Sequence, residues 1–350
     1  MNDFIQKIIG NQVRPVVSAE IGINHNGNLN EAKQLILSAK HSGADVVKFQ
    51  NYHTEDFIRT RREKLKYKYK SNYITKSQYD LFKQCELSDE NIIELKNLSD
   101  SLGITFQSTP TSINGLNLLV EIGCQSVKNG SDFLNNDMLL NAMAESNLTT
   151  VISTGMATFR EIENALKIFD KCGNNKIVLL HCTSLYPAPP ESLNLARIKT
   201  MKNEFGVPVG FSDHSIGNTA SILATQLGAS WIEKHFTIDK NQEGPDHQHS
   251  CDPEELKDLV DSVKWIRPML GSAKIEINAH EQEPRMNYRL SYAFSKDMTK
   301  GEMIKETDVY LTRPGFGYAP NKLDQLLGKT LRSNVSFGNI VRQEDLNEES

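Results

Sequence analysis

The chain has 350 residues, of which 38% are hydrophobic and 24% are charged, and its net charge is −5. This length fits one large globular domain or two domains, and the composition is that of an ordinary globular protein. The charge balance predicts no nucleic-acid or membrane partner, and no apolar run reaches the ~18 residues of a transmembrane helix. Five scattered cysteines and an N-terminus without a secretory signal predict reduced thiols in a cytoplasmic protein.

Short apolar strands alternate with amphipathic helices over most of the chain. Eight predicted strands begin near residues 16, 44, 104, 124, 149, 176, 207 and 229, and a helical segment follows each of them. This alternation predicts an α/β fold, a (β/α)8 TIM barrel that occupies residues 1–270. A doubly wound sheet would usually have fewer strands and a break between its two halves.

Three further segments interrupt or follow this alternation. A long polar insert, residues 51–88, is expected to shape the mouth of an active site. Within it we predict a short helix near 77–86, and we predict that the lysines of 61–70 lie on a solvated helix face. Residues 271–289 are polar and helix-poor, which predicts a linker, and the short runs broken by glycine in 290–350 predict a small β-rich domain.

Two histidines end neighbouring predicted strands. One strand runs into Asp213 and His214, and the next ends at Glu233 and His235. With the helix between them they form a βαβ unit, whose paired parallel strands lie about 4.8 Å apart. Two imidazoles at adjacent strand ends can bind one divalent metal and leave coordination positions open for substrate oxygens. The alternative is that each histidine is an ordinary core or surface residue.

Two lysines, Lys48 and Lys128, end the second and fourth predicted strands. A buried lysine without a partner is costly, so each is expected to contact a bound anion or, alternatively, to form a Lys–Glu ion pair inside the barrel. Turns rich in serine and threonine add hydroxyls and helix N-termini, which suit phosphate or carboxylate. With Glu20 and Glu233, this set fits a metal-assisted aldol-type condensation, and metal-assisted hydrolysis or isomerisation fits almost as well.

Short motifs at these strand ends and in the C-terminal region are AEIGINHNG (19–27), VVKFQ (46–50), STP (108–110), ISTGM (152–156), HCTSLYPAP (181–189), GFSDHS (210–215), GPDH (244–247) and RPGFG (313–317). Together they resemble the sialic acid (N-acetylneuraminate) synthase family, in the family's order and over nearly the whole chain. The resemblance implies a TIM barrel followed by an antifreeze-like (SAF, β-clip) domain. It also implies a cytoplasmic transferase of nonulosonic acid and cell-surface polysaccharide biosynthesis, which condenses phosphoenolpyruvate with an N-acylated hexosamine and releases phosphate.

The resemblance also implies roles for individual residues. The metal, Mn2+ or else Mg2+ or Co2+, would be bound by His214 and His235. Phosphoenolpyruvate would be surrounded by Lys48, Thr109, Lys128, Ser131, Ser153, Ser184 and Ser212. The sugar would face Glu20, Gln50, Tyr186, Glu233 and Asp246. The catalytic set would be Glu20, Lys48, Lys128, Asp132, His214, Glu233 and His235. Arg313 would reach the sugar's acyl group in a partner subunit's barrel, which implies a homodimer with a swapped C-terminal domain.

Two positions depart from the family's pattern. Members often have Lys-x-x-Ser-Gly-Glu in the fourth loop, whereas KNGSDF (128–133) places Phe133 at the Glu position, so we hypothesise that Asp132 replaces it. Thr111 stands where some relatives carry an aromatic residue near the acyl group, which leaves open N-acetylmannosamine or a 2,4-diacetamido-trideoxyhexose as the sugar. A related phosphoenolpyruvate-dependent keto-acid phosphate synthase and a non-catalytic sugar-binding or assembly subunit are the alternative functions.

Overall fold

The computed structural model describes residues 14–70 and 72–347, which form two compact units that divide between Gly271 and Ser272. The expected lack of a secretory signal falls on residues 1–13, outside the described residues, as do the outer ends of the two predicted domains. Within the described ranges, no helix is long and apolar enough to cross a bilayer.

The strands of the first unit form a closed barrel and one hairpin. They are β1 (Val16–Gly22), β2 (Val46–Asn51), β3 (Lys64–Tyr69), β4 (Asn72–Ser77), β5 (Thr105–Pro110), β6 (Ser126–Asn129), β7 (Thr149–Ser153), β8 (Ile177–Cys182), β9 (Val209–Asp213) and β10 (Trp231–His235). The barrel order is β1-β10-β9-β8-β7-β6-β5-β2, with all eight strands parallel. The predicted (β/α)8 barrel is confirmed.

Helices surround the barrel and bury one apolar face against it. They are α1 (Leu29–His41), α2 (Thr54–Phe57), α3 (Gln78–Cys85), α4 (Asp89–Leu102), α5 (Ile113–Glu121), α6 (Asp137–Glu145), α7 (Phe159–Lys171), α8 (Arg197–Phe205), α9 (Thr219–Gln226) and α10 (Pro253–Leu270). In α7, Ile162, Ala165 and Phe169 are buried at helical spacing, and Thr158 and Glu161 form a capping box at the N-terminus. Helices of this kind hold each strand end in place.

A small apolar cluster fills the lower part of the barrel. It consists of Val46, Val151, Val178, Leu180 and Trp231, all fully buried. Gly210 lies beside it, where an added Cβ would come within 2.4 Å of the Trp231 carbonyl oxygen and 2.6 Å of Trp231 Cβ. Glycine is therefore required on β9 because the carbonyl oxygen and Cβ of Trp231 occupy the space that a side chain would need.

The lysine-rich stretch forms a hairpin, so the prediction of a helix face at 61–70 is wrong. Strands β3 and β4 pair antiparallel, with Leu65 opposite Lys76 and Tyr67 opposite Ile74. Lysines alternate with Leu65, Tyr67 and Tyr69, a period of two that is typical of a strand. Tyr67 is buried and Lys66 is exposed, so the alternation places the aromatic side of the hairpin inward.

The predicted linker contains a helix, which corrects the prediction that 271–289 is helix-poor. This helix, α11 (Gln282–Tyr288), follows a single 3-10 turn that Asn278 caps. Two antiparallel strands follow, β11 (Ser291–Phe294) and β12 (Val309–Thr312), and isolated bridges connect the remaining loops. Phe294, Leu326, Leu331 and Val341 are fully buried in a separate apolar core.

Candidate active site

Alternation along the barrel strands determines which side chains reach the interior. Successive residues of a strand face opposite sides, so residues two positions beyond the buried apolar cluster also point inward. On β2 this relation links Val46 to Lys48, and on β10 it links Trp231 to Glu233. The chemically active side chains therefore form the next layer above the apolar one, towards the carboxyl ends of the strands.

A cavity of about 840 Å³ opens above this layer. It brings together every predicted site residue of the barrel unit: Glu20, Lys48, Gln50, Thr109, Lys128, Ser131, Asp132, Ser153, Ser184, Tyr186, Ser212, His214, Glu233, His235 and Asp246. Among the described residues, the remaining predicted one, Arg313, belongs to the second unit. There it is exposed, with its guanidinium carbon 5.7 Å from the centroid of the Tyr288 ring.

Lys48 and Glu20 form a buried ion pair, with Lys48 Nζ 2.6 Å from Glu20 Oε2. Burial is the main cause that raises the pKa of Glu20 to about 7, against the effect of Lys48, and the nearby Glu233 adds to the rise. Burial would lower the pKa of Lys48, but Glu20 and Glu233 outweigh it and the pKa is raised. The alternative of a Lys–Glu pair inside the barrel is thus what the structure shows for Lys48.

Lys128 is held mainly by hydroxyl and carbonyl oxygens. Its Nζ donates to Ser153 Oγ at 2.5 Å, and it lies 3.7 Å from Glu233 Oε1. Burial lowers the pKa of Lys128, and Glu233 only partly opposes this. Burial would raise the pKa of Glu233, but Lys128, Lys48 and a hydrogen bond from Ser212 at 2.9 Å lower it. Glu20 and Glu233 therefore have pKa values shifted in opposite directions.

The hydroxyls of Ser131 and Ser184 lie close to Gly155. The Gly155 N–H donates to Ser131 Oγ at 2.9 Å. An added Cβ on Gly155 would lie 2.2 Å from Ser184 Oγ and 2.7 Å from Ser131 Oγ, so only glycine allows these hydroxyls to approach each other. Thr109 Oγ1 is buried without a hydrogen-bond partner in the described structure. Such groups are suited to bind the oxygens of an anion.

The predicted metal pair lies under the Tyr186 ring. The ring centroids of His214 and His235 are 5.4 Å apart, and that of Tyr186 is 4.2 Å from His214. His214 Nδ1 lies 2.8 Å from the Thr183 carbonyl oxygen, which can only accept, so Nδ1 carries the proton and Nε2 is left for a ligand. Burial opposes charge on His214, but contact with the Cys182 thiol raises its pKa.

His249, which the sequence analysis missed, lies beside His235 with its ring centroid 5.1 Å away. His235 Nδ1 and His249 Nε2 are buried without a hydrogen-bond partner in the described ranges, and with an Asp246 oxygen these ligand atoms lie within 4.8 Å of one another. Burial lowers the pKa of His249 to about 3 and that of His235 well below its ordinary value, which leaves both imidazoles neutral. This donor set fits a divalent first-row ion.

Asp132 lies on the short 3-10 turn Ser131–Phe133 that follows β6. It lines the cavity, and desolvation raises its pKa, while backbone N–H groups, Lys128 and Lys48 oppose the rise. Phe133 also lines the cavity, at the position where the family's glutamate is expected. The structure thus brings the Asp132 carboxylate close to both lysines, and its replacement of that glutamate stays a hypothesis.

The β3–β4 hairpin forms one wall of the cavity, a contribution that the sequence analysis did not predict for particular residues. Leu65, Tyr67 and Tyr73 line the cavity together with Phe57 and Phe82. Lys76 Nζ binds Glu243 Oε1 at 2.9 Å, which ties the hairpin to the loop that follows β10.

Comparison with known proteins identifies the family. The family model described as NeuB matches residues 35–275, and the model described as SAF domain matches residues 289–347. This chain belongs to the NeuB family. The N,N'-diacetyllegionaminic acid synthase of Legionella pneumophila is 38% identical and the pseudaminic acid synthase of Campylobacter jejuni 34% identical. The matches cover 96% of both chains for the former, and 94% of this chain and 96% of the relative for the latter.

A solved structure gives the same result. The crystal structure of the N-acetylneuraminic acid synthetase of Leptospira borgpetersenii, in complex with citrate, superposes with a TM-score of 0.70 at 37% identity. The match covers 78% of this chain and 90% of that chain. The predicted family and the antifreeze-like SAF domain are confirmed, and this NeuB-family protein is an enzyme of the nonulosonic acid synthase class.

Proposed function

We propose that this enzyme condenses phosphoenolpyruvate and water with an N-acylated hexosamine to give a nine-carbon 2-keto acid and phosphate. C3 of phosphoenolpyruvate forms a bond to the aldehyde carbon of the open-chain sugar, whose oxygen takes up a proton. Water then adds at C2 and gives up its protons, and phosphate leaves as the bond between C2 and its oxygen breaks. The atoms and electrons of the overall reaction balance without an oxidant or a reductant.

The observation that carries this proposal is that one cavity contains both an anion-binding set and a pair of imidazoles. Lys128, Ser153 and the hydroxyls around Gly155 suit the phosphate and carboxylate of phosphoenolpyruvate. The imidazoles of His214 and His235 suit an aldehyde and its developing alkoxide. Glu233 Oε1 lies 3.7 Å from Lys128 Nζ, so it adjoins the anion-binding set. This arrangement supports an anionic three-carbon donor beside a neutral polar acceptor.

The two central carboxyls suit proton transfer in opposite directions. Glu20, with its pKa raised by burial to about 7, can take up and release a proton near neutral pH, whereas the lowered pKa of Glu233 keeps that group ionised. Groups whose pKa values are separated in this way can serve as acid and base in one turnover. Glu20 is then the candidate donor to the aldehyde oxygen, and Glu233 the candidate acceptor from water.

A divalent ion, Mn2+ or else Mg2+ or Co2+, is proposed at His214 and His235. The fixed tautomer of His214 and the unpartnered Nδ1 of His235 support this assignment. When bound, such an ion supplies Lewis-acid polarisation of the sugar aldehyde.

The sugar we favour is a 2,4-diacetamido-trideoxyhexose, with N-acetylmannosamine as the second candidate. Ile23, Phe57, Leu65, Leu81 and Phe82 form an apolar part of the cavity wall. Such a surface suits the C6 methyl and acetyl methyl groups of a deoxy diacetamido sugar better than a C6 hydroxyl or phosphate. The Legionella relative, 38% identical, is named for a diacetylated product.

Phosphate release measured with a panel of acceptors tests the proposal. We expect release from phosphoenolpyruvate only when an N-acylated hexosamine is present, with a higher kcat/KM for the diacetamido sugar than for N-acetylmannosamine. Phosphate release from phosphoenolpyruvate that is stimulated only by pentose or tetrose phosphates, and by no N-acylated hexosamine, would favour a keto-acid phosphate synthase. Binding of both ligands without release would favour a non-catalytic subunit.

The predicted swapped homodimer is retained as part of this proposal. Arg313 is exposed next to the half-exposed Phe316 in the loop RPGFG, as a residue that serves another subunit would be. Mixing inactive Arg313→Ala and Lys128→Ala proteins tests it, because a dimer of the two contains one intact combination of Lys128 and Arg313. We expect activity to return on mixing; no recovery, with dimers of both parents demonstrated by sedimentation, would contradict the swap.

A further inference from the structure

His249 is a buried histidine with an unused ring nitrogen. It lies on the 3-10 turn His247–His249, and 6% of its surface is exposed. Its Nε2 atom has no hydrogen-bond partner in the part of the chain that the structure describes. Burying an imidazole nitrogen without a partner costs free energy, so the position requires either a ligand for that atom or a compensating contact.

Two other potential metal ligands, Asp246 and His235, lie close to His249 Nε2. Asp246 Oδ1 lies 3.8 Å away, and the other oxygen of this carboxylate, Oδ2, is 3.6 Å from His235 Nδ1. The three donor atoms fall within 4.8 Å of one another, yet His235 Nδ1 has no hydrogen-bond partner in the described ranges either. Two imidazoles and one carboxylate that converge without bonding one another leave a space that a cation between them would fill.

The course of the backbone explains how Asp246 and His249, only three residues apart, both face His235. Asp246 is the N-cap of the turn, and the Ser250 N–H donates to its carbonyl at 3.1 Å, so the chain turns back on itself between the two side chains. Ser250 Oγ is in turn bound by Asn24 Nδ2 at 2.9 Å, which anchors the turn to the loop after β1. The turn thus presents Asp246 and His249 to the end of β10, where His235 lies.

We propose that His249 is a direct ligand of the divalent ion, together with His235 and Asp246. Two imidazoles and one carboxylate form a facial set that suits Mn2+, Fe2+ or Co2+ and leaves positions open for substrate oxygens. The inference rests on the proposed function in requiring an ion at this end of the cavity. It goes beyond the predicted pair, because His214 and His235 alone would leave His249 Nε2 buried and unused.

Metal binding to the stripped protein tests this assignment without reference to turnover. The full-length protein would be treated with EDTA, and Mn2+ affinity measured by calorimetry for wild type, His249→Gln and His249→Ala. His41→Ala, which removes an exposed histidine from α1 of the same unit, is the matched control. Circular dichroism and melting of the metal-free proteins would show which variants are folded, and two substitutions of different size are included for this reason.

We expect the folded His249 variants to bind Mn2+ at least about tenfold more weakly, since loss of groups that merely support a metal ligand already costs about 10–100-fold. We also expect a changed visible spectrum of the Co2+ complex, while His41→Ala keeps both properties of the wild type. A folded His249 variant with wild-type Mn2+ affinity and an unchanged Co2+ spectrum would overturn the proposal.

Failure of this inference can be told from failure of the proposed function. If wild type releases phosphate in a sugar-dependent reaction while the His249 variants bind Mn2+ normally, the reaction stands and the ligand assignment is wrong. If Mn2+ affinity depends on His249 but no acceptor sugar stimulates phosphate release, the metal site stands and the proposed reaction is wrong.

Discussion

Lys48 Nζ and Glu20 Oε2 lie 2.6 Å apart inside the barrel, with 6% and 2% of the two side chains exposed. A buried pair of this kind is costly to desolvate and is weak support for stability, but it sets the protonation of its members. Because burial raises the pKa of Glu20 to about 7, the pair changes charge within the range in which most enzymes work.

The Glu20→Gln variant should become more stable relative to wild type as pH rises. A carboxyl with a raised pKa binds its proton more tightly in the folded than in the unfolded chain, so wild-type stability falls between pH 4.5 and about 7. Glutamine does not titrate, and the difference reaches up to about 3 kcal/mol at pH 8. Melting temperatures of both proteins at pH 5 and pH 8 measure it; a constant difference would contradict the raised pKa.

Replacing Lys128 should separate catalysis from stability. Lys128→Met leaves Glu233 without its nearest ammonium and should cost about 3 kcal/mol of stability. The double variant Lys128→Met/Glu233→Gln removes both charges and should recover much of that loss, while kcat/KM stays at least about 1,000-fold below wild type. Thermal melting and phosphate release are the measurements. A double variant that is stable and active would show that neither side chain takes part in the reaction.

Substitution of Asp132 tests whether it replaces the family's glutamate. We expect Asp132→Ala to lower kcat about 100-fold, the size of a typical acid–base contribution. Phe133→Glu added to this variant should restore part of the activity, because it returns a carboxylate to the position where relatives often have one. Full turnover of Asp132→Ala would remove the hypothesis.

Gly155→Ala should weaken the binding of phosphoenolpyruvate in particular. The new Cβ would lie 2.2 Å from Ser184 Oγ and 2.7 Å from Ser131 Oγ, so both hydroxyls must move. We expect KM for phosphoenolpyruvate to rise about tenfold, equivalent to about 1.4 kcal/mol, with KM for the sugar nearly unchanged. A rise confined to the sugar would place phosphoenolpyruvate elsewhere in the cavity.

The hairpin wall should affect the sugar and not phosphoenolpyruvate. Tyr67 is buried against the cavity, whereas Lys64 is exposed on the same strand. Tyr67→Ala should raise KM for the acceptor about tenfold through lost apolar contact, with Lys64→Ala as the matched control. Equal effects of the two changes on both substrates would mean that the hairpin acts only on stability.

Much of the barrel and of its site could be predicted because both depend on local patterns. The sequence signals of buried strands, of helix N-caps and of the glycines that end helices each span only a few residues. In a parallel barrel, the carboxyl ends of the strands must also share one face. Lys48 and Lys128 could be assigned to the same mouth of the barrel on this ground, since both lie on strands of that barrel.

The parts that were missed depend on contacts that strand order does not determine. The choice between an anion and Glu20 as the partner of Lys48 depends on side-chain distances across neighbouring strands. His249 lies in a loop, where only the course of the turn brings it back to His235. The hairpin could have been predicted from the sequence, because the alternation of Leu65 and Tyr67 with lysines has the period of two that is typical of a strand.

The most direct test of the proposed condensation uses phosphoenolpyruvate labelled with 18O at the oxygen that joins C2 to phosphorus. With the diacetamido sugar or N-acetylmannosamine present, we predict that the label leaves in the released phosphate and that a nine-carbon keto acid is formed in equal amount. Label retained in the organic product, or phosphate released at the same rate without any sugar, would contradict the proposal.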